Sequence, residues 1–500
     1  MGTNHLAVDL GAGSGRVIRG RITDNGKIEL EELYRFTTQS MPFGGNLTVN
    51  IYRIYEEVLR ALQVYVRQYG CELGSMGVDT WGSDFGILDK NGKLIGIPVH
   101  YRDKRTQGIG SIVEKGIGYC RLYELTSCGR DPAGTLHQLI AMVQKRDASL
   151  ECGKMLLFLG DLLHYFLTGN ACSEYTVASF SQLYNIPKND WEDEVFKIFE
   201  IPSGIQPPIV YPGERLGRIK REIADFVGLS QTEVIAPAVH DSSCAVLAVP
   251  TKSEGDWAFI SSGTWSVVGM ELDKPIINRN SYVGDISNSG MAFGRILFKK
   301  NVMGLWIIQQ CMKVWDGVGV SLNYEQIVEA AAQARPFVGF IEPDKDSFFN
   351  PIDMVGAILQ YLEQSGQIQI EPQDVGQISR IVFESLAMKY HYTVNLLREA
   401  SGRQIDRIHI IGGGSSNELL NEFTASATCL TVFAGPTEAT AIGNVMLQAY
   451  GCGELGSQDA IREKVRESFP TKCYRPKATS EWRVQYRRFL EICGLGFMSR

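Results

Sequence analysis

Residues Leu6 to Arg16 read LAVDLGAGSGR, a short stretch that begins apolar and then becomes rich in glycine. An apolar segment ends at Asp9, glycines occupy positions 11, 13 and 15, and a β-branched segment resumes at Val17. This pattern predicts two strands joined by a tight turn. Glycines let backbone N–H groups come close to a phosphate, and a carboxylate at a strand end suits hydrated Mg²⁺. We interpret the stretch as a phosphate-binding hairpin; an ordinary glycine hairpin is the alternative.

Two better-known glycine motifs are excluded by the residues that follow. A Walker A loop requires Lys and then Ser or Thr after its last glycine, whereas Arg16 and Val17 follow Gly15. A dinucleotide-binding fingerprint requires a helix after the loop, whereas the alternating pattern continues as strand through Phe36. Any phosphate bound here is therefore expected to contact a strand-turn-strand unit.

Composition and charge limit the class of protein. The chain has 500 residues, of which 44% are hydrophobic and 21% charged, and a formal charge of −7. This length predicts two large domains, and no segment approaches the roughly 20 apolar residues of a membrane span. A negative charge without any basic block argues against nucleic acid or a membrane surface as a partner. Eleven scattered cysteines and no recognisable secretory leader lead us to expect reduced thiols and a cytoplasmic location.

The opening pattern returns near the middle of the chain. Trp257 to Ile260 is apolar, Ser261-Ser262-Gly263-Thr264 follows, and an apolar segment resumes at Trp265. We interpret this as a second phosphate hairpin that opens a second domain, so that the active site lies in an interdomain cleft. The expected division is a first domain at 1–250, a second domain at 251–450 and a helical tail at 451–500 packed on the second domain.

Two segments of the first half are expected to contact a polyol substrate. Trp81, Gly82 and Asp84 fall where two strands meet a loop, although a surface tryptophan packed on its own hairpin would give the same pattern. The polar segment His240-Asp241-Ser242-Ser243 lies between an apolar strand and a helical run. Ligands of α/β proteins bind at such strand-to-helix junctions. Asp241 is accordingly a candidate catalytic group, with a helix N-cap as the alternative.

The second half has two further candidate segments. Phe298 to Trp315 is predicted to be an apolar helix with Asn301 and Gln309 as polar exceptions, which either bind ligands or face solvent. Gly412-Gly413-Gly414 lies between a strand and a helix, so its backbone can lie flat against a nucleoside or form a tight turn. Tyr52 to Tyr69 and Met155 to Leu167 are also predicted to be helices.

These motifs and their order along the chain resemble those of a known protein family. The chain resembles the FGGY carbohydrate kinases, which have the two-domain α/β fold of actin, hexokinase and the heat-shock ATPases (ribonuclease H-like), and within them the branch that phosphorylates L-rhamnulose. The motifs are VDLGAGSGRV (8–17), VDTWGSDFGILD (78–89), AVHDSSCAV (238–246), SSGTWSVVG (261–269), KNVMGLWIIQQ (300–310), IIGGGSSN (410–417) and AGPTEATAIGN (434–444).

The resemblance implies a function and a set of site residues, with a sugar-binding domain at 1–250 and an ATP-binding domain at 251–450. The implied reaction is ATP-dependent phosphorylation of L-rhamnulose at its 1-hydroxyl, with Asp241 as catalytic base and Asp9 near Mg²⁺ through water. The implied partner is a small-molecule ketose, bound by a monomer or homodimer. The implied ketose contacts are Gly82, His240, Asp241, Ser242 and Asn301, beside the candidates Trp81 and Asp84. The implied ATP contacts are Ala12, Gly13, Ser14, Gly15, Arg16, Thr264, Gln309 and Gly413.

Two alternatives to this function remain open at this point. The first is another ketose kinase of the same family, acting on L-fuculose, D-xylulose or L-ribulose, because only a few side chains read the sugar. The second is a non-catalytic sugar or nucleotide sensor. A sensor is expected to lose Asp241 or the hairpin glycines, and both are present.

Overall fold

The structure is a computed structural model that describes residues 2–11, 13–252 and 257–496. Its strands are β1 (His5–Leu10), β2 (Ser14–Ile22), β3 (Ile28–Thr37), β4 (Ser40–Phe43), β5 (Asn46–Val49), β6 (Ser75–Thr80), β7 (Phe85–Leu88), β8 (Met155–Phe158), β9 (Ser173–Glu174), β10 (Tyr184–Asn185), β11 (Asp190–Trp191), β12 (Ile209–Val210), β13 (Arg215–Arg218), β14 (Glu233–Ile235), β15 (Trp257–Ser262), β16 (Trp265–Leu272), β17 (Ser287–Gly290), β18 (Ile296–Met303), β19 (Arg407–Ile411), β20 (Thr431–Ala434) and β21 (Lys472–Tyr474).

The helices are α1 (Ile51–Tyr69), α2 (Ile109–Gly116), α3 (Tyr119–Thr126), α4 (Thr135–Gln144), α5 (Ala148–Cys152), α6 (Leu159–Thr168), α7 (Tyr175–Ala178), α8 (Asp193–Ile198), α9 (Arg221–Val227), α10 (Asp241–Leu247), α11 (Arg279–Val283), α12 (Trp306–Gly317), α13 (Tyr324–Gln333), α14 (Met354–Gln364), α15 (Val375–Ser401), α16 (Glu418–Thr428), α17 (Ala439–Gly451), α18 (Gln458–Ser468) and α19 (Thr479–Cys493). Short 3-10 turns occur at Lys104–Thr106, Ser203–Ile205, Ala292–Gly294, Asp346–Phe348 and Gly413–Ser416.

Two large sheets repeat one arrangement of strands. The first has the order β13-β14-β6-β1-β2-β3 and the second β17-β18-β16-β15-β19-β20-β21. In the first sheet β1, β2 and β3 are antiparallel neighbours, while β6 and β14 run parallel to β1. In the second sheet β15, β16 and β18 are antiparallel, while β19 and β20 run parallel to β15. The second hairpin therefore opens a second copy of the same core.

The strand-turn-strand prediction for the opening stretch is confirmed. β1 and β2 pair in antiparallel register with Asp9 opposite Arg16, and the Gly11 N–H donates to the Ser14 carbonyl at 3.0 Å across the turn. Gly15 lies against the Phe36 ring, and a Cβ on Gly15 would overlap that ring. Of the turn residues, Ala12 lies outside the described part of the chain.

Two helices follow the sequence patterns closely. α1 begins after Asn50, whose side chain accepts from the Arg53 N–H, and Gly70 ends the helix. α15 ends at Gly402, which adopts the left-handed conformation with φ of 67°. These caps explain why both boundaries are visible in the sequence.

Two other helix predictions are wrong in part. Phe298 to Trp315 is not one helix, because β18 continues through Met303 and α12 begins only at Trp306. Likewise, Met155–Phe158 is strand β8, and the helix starts at Leu159. Neither strand shows the alternation of polar and apolar residues that identifies a half-exposed strand. β8 is wholly apolar, and the polar residues Lys299, Lys300 and Asn301 of β18 follow one another.

Two helices cross between the sheets. α10 packs against β15 of the second sheet, whereas α17, which comes late in the chain, packs against β1 and β6 of the first. At the crossing, Gly443 lies so close to Cys244 that a Cβ on Gly443 would overlap the Cys244 carbonyl group. α17 is fixed to the first sheet by side-chain amides, because Gln448 donates to the Leu6 carbonyl at 2.9 Å.

The C-terminal tail contacts both sheets. β21 adds an antiparallel edge strand to β20. Arg462 of α18 is paired with buried Glu271 of β16, while Ser468 at the end of the same helix accepts from the Ile28 N–H at 2.8 Å. Among the helices within the described ranges, none combines the length and the apolar character needed to cross a membrane.

The helix crossing gives a stability prediction. Gly443→Ala forces a methyl group against the Cys244 carbonyl, and overpacking of this kind costs about 1–3 kcal/mol. We expect a thermal midpoint several degrees lower than in the wild type. Gly317→Ala is the matched control, since Gly317 is also helical and a Cβ there meets nothing within 4 Å. Equal midpoints for the two variants in calorimetry would contradict the close crossing.

Candidate active site

The carboxyl ends of β1 and β6 lie beside the segment that leads into α10. These strands are parallel, with Asp9 opposite Asp79 in the register. The Thr80 N–H donates to the Val239 carbonyl at 2.8 Å, which holds the next segment alongside. Asp241 then begins α10. Three carboxylates are thus brought to the sheet edge at which α/β proteins bind ligands.

Asp9 is held by an arginine of the same hairpin. Arg16 donates from Nη2 to Asp9 Oδ2 at 2.5 Å and from Nη1 to Glu438 Oε2, also at 2.5 Å. Burial raises the pKa of Asp9, and the Arg16 charge opposes that rise. The positive charge of Arg16, an expected ATP contact, is therefore already neutralised by two carboxylates. Glu438 was missed in the sequence, where an acidic residue before a helix suggests only a cap.

Asp79 is a second carboxylate that the sequence analysis did not select. Its Oδ2 accepts from Asn444 Nδ2 of α17 at 2.6 Å, and its buried Oδ1 has no protein partner among the described residues. Burial, together with the nearby charges of Asp9 and Asp241, raises its pKa well above the ordinary value. The repeat of Val-Asp at Val8-Asp9 and Val78-Asp79 is the signal that would have found it.

Asp241 is the first helical residue of α10, and His240 occupies the cap position. Its Oδ1 accepts from the Ser242 N–H at 2.6 Å and from Ser242 Oγ at 3.1 Å, so the carboxylate is oriented. The side chain is 34% exposed. Desolvation, followed by the charge of Asp9, raises the pKa of Asp241 to about 6. At neutral pH Asp241 is therefore an oriented, ionised carboxylate that is partly exposed to solvent.

His240 forms the wall of a small recess beside Asp241. Its ring stacks on Phe180, with centroids 4.8 Å apart and planes 17° apart. Gly82 lies against both rings, and a Cβ there would approach Phe180 to 2.8 Å and His240 to 3.3 Å. Structure thus brings together Gly82, His240, Asp241 and Ser242. Phe180 was missed, and its loop carries no pattern that distinguishes it.

Lys299 is the residue of the second sheet that reaches this recess. It is 1% exposed, its Nζ lies 3.5 Å from His240 Nδ1, and it is 4.7 Å from the centre of the Phe180 ring. Burial lowers the pKa of Lys299 to about 8. The sequence pattern predicts a helix for this segment and does not single out Lys299. In a strand, Asn301 projects from the same face two residues later, and it is exposed.

Trp81 and Asp84 are buried rather than exposed. Trp81 Nε1 donates to Asp84 Oδ2 at 2.8 Å, so the two side chains form one unit. Asp84 Oδ1 is buried without a protein partner in the described ranges. Burial raises the pKa of Asp84 to about 7, against the hydrogen bond from Trp81 and the charge of Arg105. The alternative of a surface tryptophan packed on its own hairpin is therefore excluded. Asp84 Oδ1 remains able to accept a hydrogen bond.

The remaining expected ATP contacts of the second half gather at the β15–β16 turn. Thr264 Oγ1 donates to Gln309 Oε1 at 3.4 Å, which places these two side chains together. Gly414 packs closely on Ser262 of the same turn, and Gly412 has φ of 80°. Gly413 is exposed, and a Cβ there meets nothing within 4 Å. Close packing therefore explains a glycine at position 414, and the positive φ explains a glycine at position 412. Gly413 has neither constraint and faces open space.

The residues fit a nucleotide whose metal is held through water. Gly13, like Gly413, has open space where a Cβ would lie. Within 2–11, 13–252 and 257–496, no three His, Cys, Asp or Glu side chains converge closely enough to hold a metal directly. Mg²⁺ usually keeps several waters and needs only one or two carboxylates, so a carboxylate such as Asp9 suffices.

Two relatives of known name match almost the whole chain. A rhamnulokinase of Bacteroides thetaiotaomicron is 38% identical over 489 residues, which are 98% of this chain and 99% of that protein. A rhamnulokinase of Enterococcus faecalis is 34% identical over 494 residues, 98% of each chain.

Solved structures share the fold at low sequence identity. A ligand-bound xylulose kinase from Lactobacillus acidophilus has a TM-score of 0.79 at 13% identity, covering 98% of this chain and 97% of that one. Plasmodium falciparum glycerol kinase with ADP has a TM-score of 0.77 at 13% identity, covering 99% of both. The expected two-domain α/β fold is confirmed by these likenesses.

Two family models divide the chain between them. The N-terminal domain of the FGGY family of carbohydrate kinases matches residues 5–248, and the C-terminal domain of that family matches residues 258–452. Together they cover the candidate site and both sheets apart from the edge strand β21. The chain therefore belongs to the FGGY family of carbohydrate kinases.

Proposed function

We propose that this kinase transfers the γ-phosphoryl group of ATP to the 1-hydroxyl of L-rhamnulose. The observation that carries the proposal is Asp241, a carboxylate that is oriented by Ser242, partly exposed to solvent and has a pKa of about 6. The sugar itself is inferred from the two rhamnulokinases that match this chain from end to end. A carbohydrate kinase uses ATP as phosphoryl donor, so the acceptor is the part of the reaction that needs testing.

The proposed step follows from the position of Asp241. Asp241 accepts the proton of the sugar hydroxyl as that oxygen bonds to the γ-phosphorus and the bond to the bridging oxygen of ADP breaks. A carboxylate is basic enough, because the hydroxyl becomes acidic only as the new bond forms. Gly82, His240, Ser242 and Asn301 are proposed to line the sugar, with Trp81 and Asp84 behind them.

The proposed nucleotide site uses both hairpins. Residues 12–16 of the first hairpin and Thr264, Gln309 and Gly413 of the second half are proposed to contact ATP. Asp9 is proposed to hold Mg²⁺ through water, and the bound ion would neutralise charge on the phosphate oxygens. We retain 1–250 and 251–450 as the sugar and nucleotide domains and 451–500 as a tail, and a monomer or homodimer as the assembly.

The experiment that tests the function is ADP release with Mg-ATP and a panel of sugars. The panel contains L-rhamnulose, L-fuculose, D-xylulose, L-ribulose, D-fructose and glycerol. We expect kcat/KM to be highest for L-rhamnulose, since a site built for one pattern of hydroxyls leaves its polar groups unpaired with another. A higher value for a different sugar would replace the proposed substrate, and no turnover with any of them would favour a sensor.

Asp241→Asn tests the proposed base. The amide keeps the shape of the side chain but cannot accept the proton, so kcat should fall at least about a hundredfold. Binding of L-rhamnulose, measured by calorimetry, should persist. Asp225→Asn is the control, because Asp225 is an exposed aspartate of α9, and its kcat should equal that of the wild type. Near-normal turnover of Asp241→Asn would remove Asp241 from this role.

Two glycines test the division into sugar and nucleotide sites. Gly82→Ala pushes a methyl group toward Phe180 and His240 and should raise KM for the sugar roughly tenfold, leaving KM for ATP unchanged. Gly413→Ala meets no protein atom within 4 Å, so it should fold normally and raise KM for ATP only. Each variant is the control for the other. A change in both constants for either variant would contradict the assignment.

A further inference from the structure

Lys299 is an unusual residue to find between the two halves of the chain. It lies on β18, in the second sheet, with 1% of its surface exposed. Its ammonium reaches Phe180 and His240, which precede it by more than fifty positions in the first half. Desolvating an ammonium is expensive unless strong partners surround it. No carboxylate lies within ion-pair distance of Lys299 among the described residues, so stability alone does not account for this cation.

The contact with His240 determines which ring nitrogen carries the proton. An ammonium has only donors, so Lys299 donates to His240 Nδ1 at 3.5 Å. Burial, and then the Lys299 charge, lower the pKa of His240 well below its ordinary value, so the imidazole is neutral. A neutral imidazole with Nδ1 as acceptor carries its hydrogen on Nε2. His240 Nε2 lies 3.9 Å from Asp241 Oδ1, too far for a strong hydrogen bond.

We propose that Lys299 is a positioning residue that holds His240 in the Nε2–H form, so that this N–H donates to the sugar hydroxyl whose proton Asp241 removes. The inference rests on the proposed function for the identity of the acceptor, but the tautomer of His240 does not depend on it. Lys299 comes from the second half and His240 from the first, so the donor is in place only when β18 lies against the recess.

The charges around Lys299 set its working range of pH. Burial lowers the pKa of Lys299 to about 8, and the charges of Asp241 on α10 and Asp131 before α4 oppose that shift. Cys128 after α3 also faces it, but burial raises the pKa of that thiol to about 12 and keeps it neutral. Lys299 in turn lowers the pKa of Asp241, which burial and Asp9 raise to about 6. Between these two values the base is ionised and the lysine charged.

The first measurement is the pH profile of kcat/KM for the sugar. In the wild type we expect an acid limb near pH 6 from Asp241 and an alkaline limb near pH 8 from Lys299. In Lys299→Met the alkaline limb should disappear, the acid limb should move to higher pH, and KM for the sugar should rise roughly tenfold. In Lys299→Arg the charge persists at all pH values measured, so the acid limb should stay while the alkaline limb is lost.

The second measurement reports the tautomer directly, without substrate. Nitrogen-15 shifts of the His240 ring, assigned by loss of the signal in His240→Asn, distinguish Nε2–H from Nδ1–H. We expect Nε2–H in the wild type below pH 8 and a mixture of tautomers above it or in Lys299→Met. Lys300→Met is the matched control, since Lys300 is the next residue of β18 and pairs with Asp285 at 3.1 Å instead.

The outcomes separate this inference from the proposed function. Unchanged pH limbs and an unchanged tautomer in folded Lys299→Met would overturn the positioning role. If the His240 tautomer shifts in Lys299→Met but the wild type does not turn over L-rhamnulose, the positioning role is supported and the proposed substrate is overturned. If Lys299→Met does not fold, the wild-type titration of the His240 ring and the Lys299→Arg profile decide the question, and a tautomer that stays constant through pH 8 counts against it.

Discussion

The close approach of α10 and α17 is the constraint on which the site depends. Gly443 brings the backbone of one helix against the Cys244 carbonyl of the other, which no side chain at 443 would permit. Each helix starts about one turn before this crossing, α10 with Asp241 and α17 after Glu438. Asp241, the proposed base, and Glu438, the partner of Arg16, are therefore positioned by the same contact. A larger separation would move both away from Asp9.

Buried charge is concentrated at this place and only partly neutralised. Burial raises the pKa of Asp9, Asp79 and Asp241, and the charge of Asp9 adds to the rise at Asp79 and at Asp241. Arg16 and Lys299 supply the opposing charge. Such an arrangement is costly for stability, because each group loses its hydration. It is also typical of reaction sites, since the pKa of Asp241 is raised to about 6 and that of Lys299 is lowered to about 8.

Much of the fold could be predicted from the sequence because its signals are local. An apolar run that ends in glycines gives each hairpin, and caps such as Gly402 give helix ends. Asp241 was found because it stands between a strand and a helix. What was missed depends on distant pairing: Arg16 meets Glu438 across 422 positions, and Lys299 meets His240 across 59. The strand β18 is not predicted because its polar residues Lys299, Lys300 and Asn301 follow one another, so the alternation of a half-exposed strand is absent. The roles of the site residues stay predictions.

The attachment of α17 to the first sheet has a consequence for synthesis of the chain. Asn444 of α17 donates to the Gly77 carbonyl of β6, and 367 positions separate the two. A ribosome that releases β6 has most of the protein still to make before α17 emerges. During that time the face of β1 and β6 that α17 covers lacks its partner. The Leu6 and Gly77 carbonyls then have no hydrogen bonds from the side-chain amides of α17. The first half therefore leaves the ribosome as an unfinished unit, and its completion waits for translation of the second.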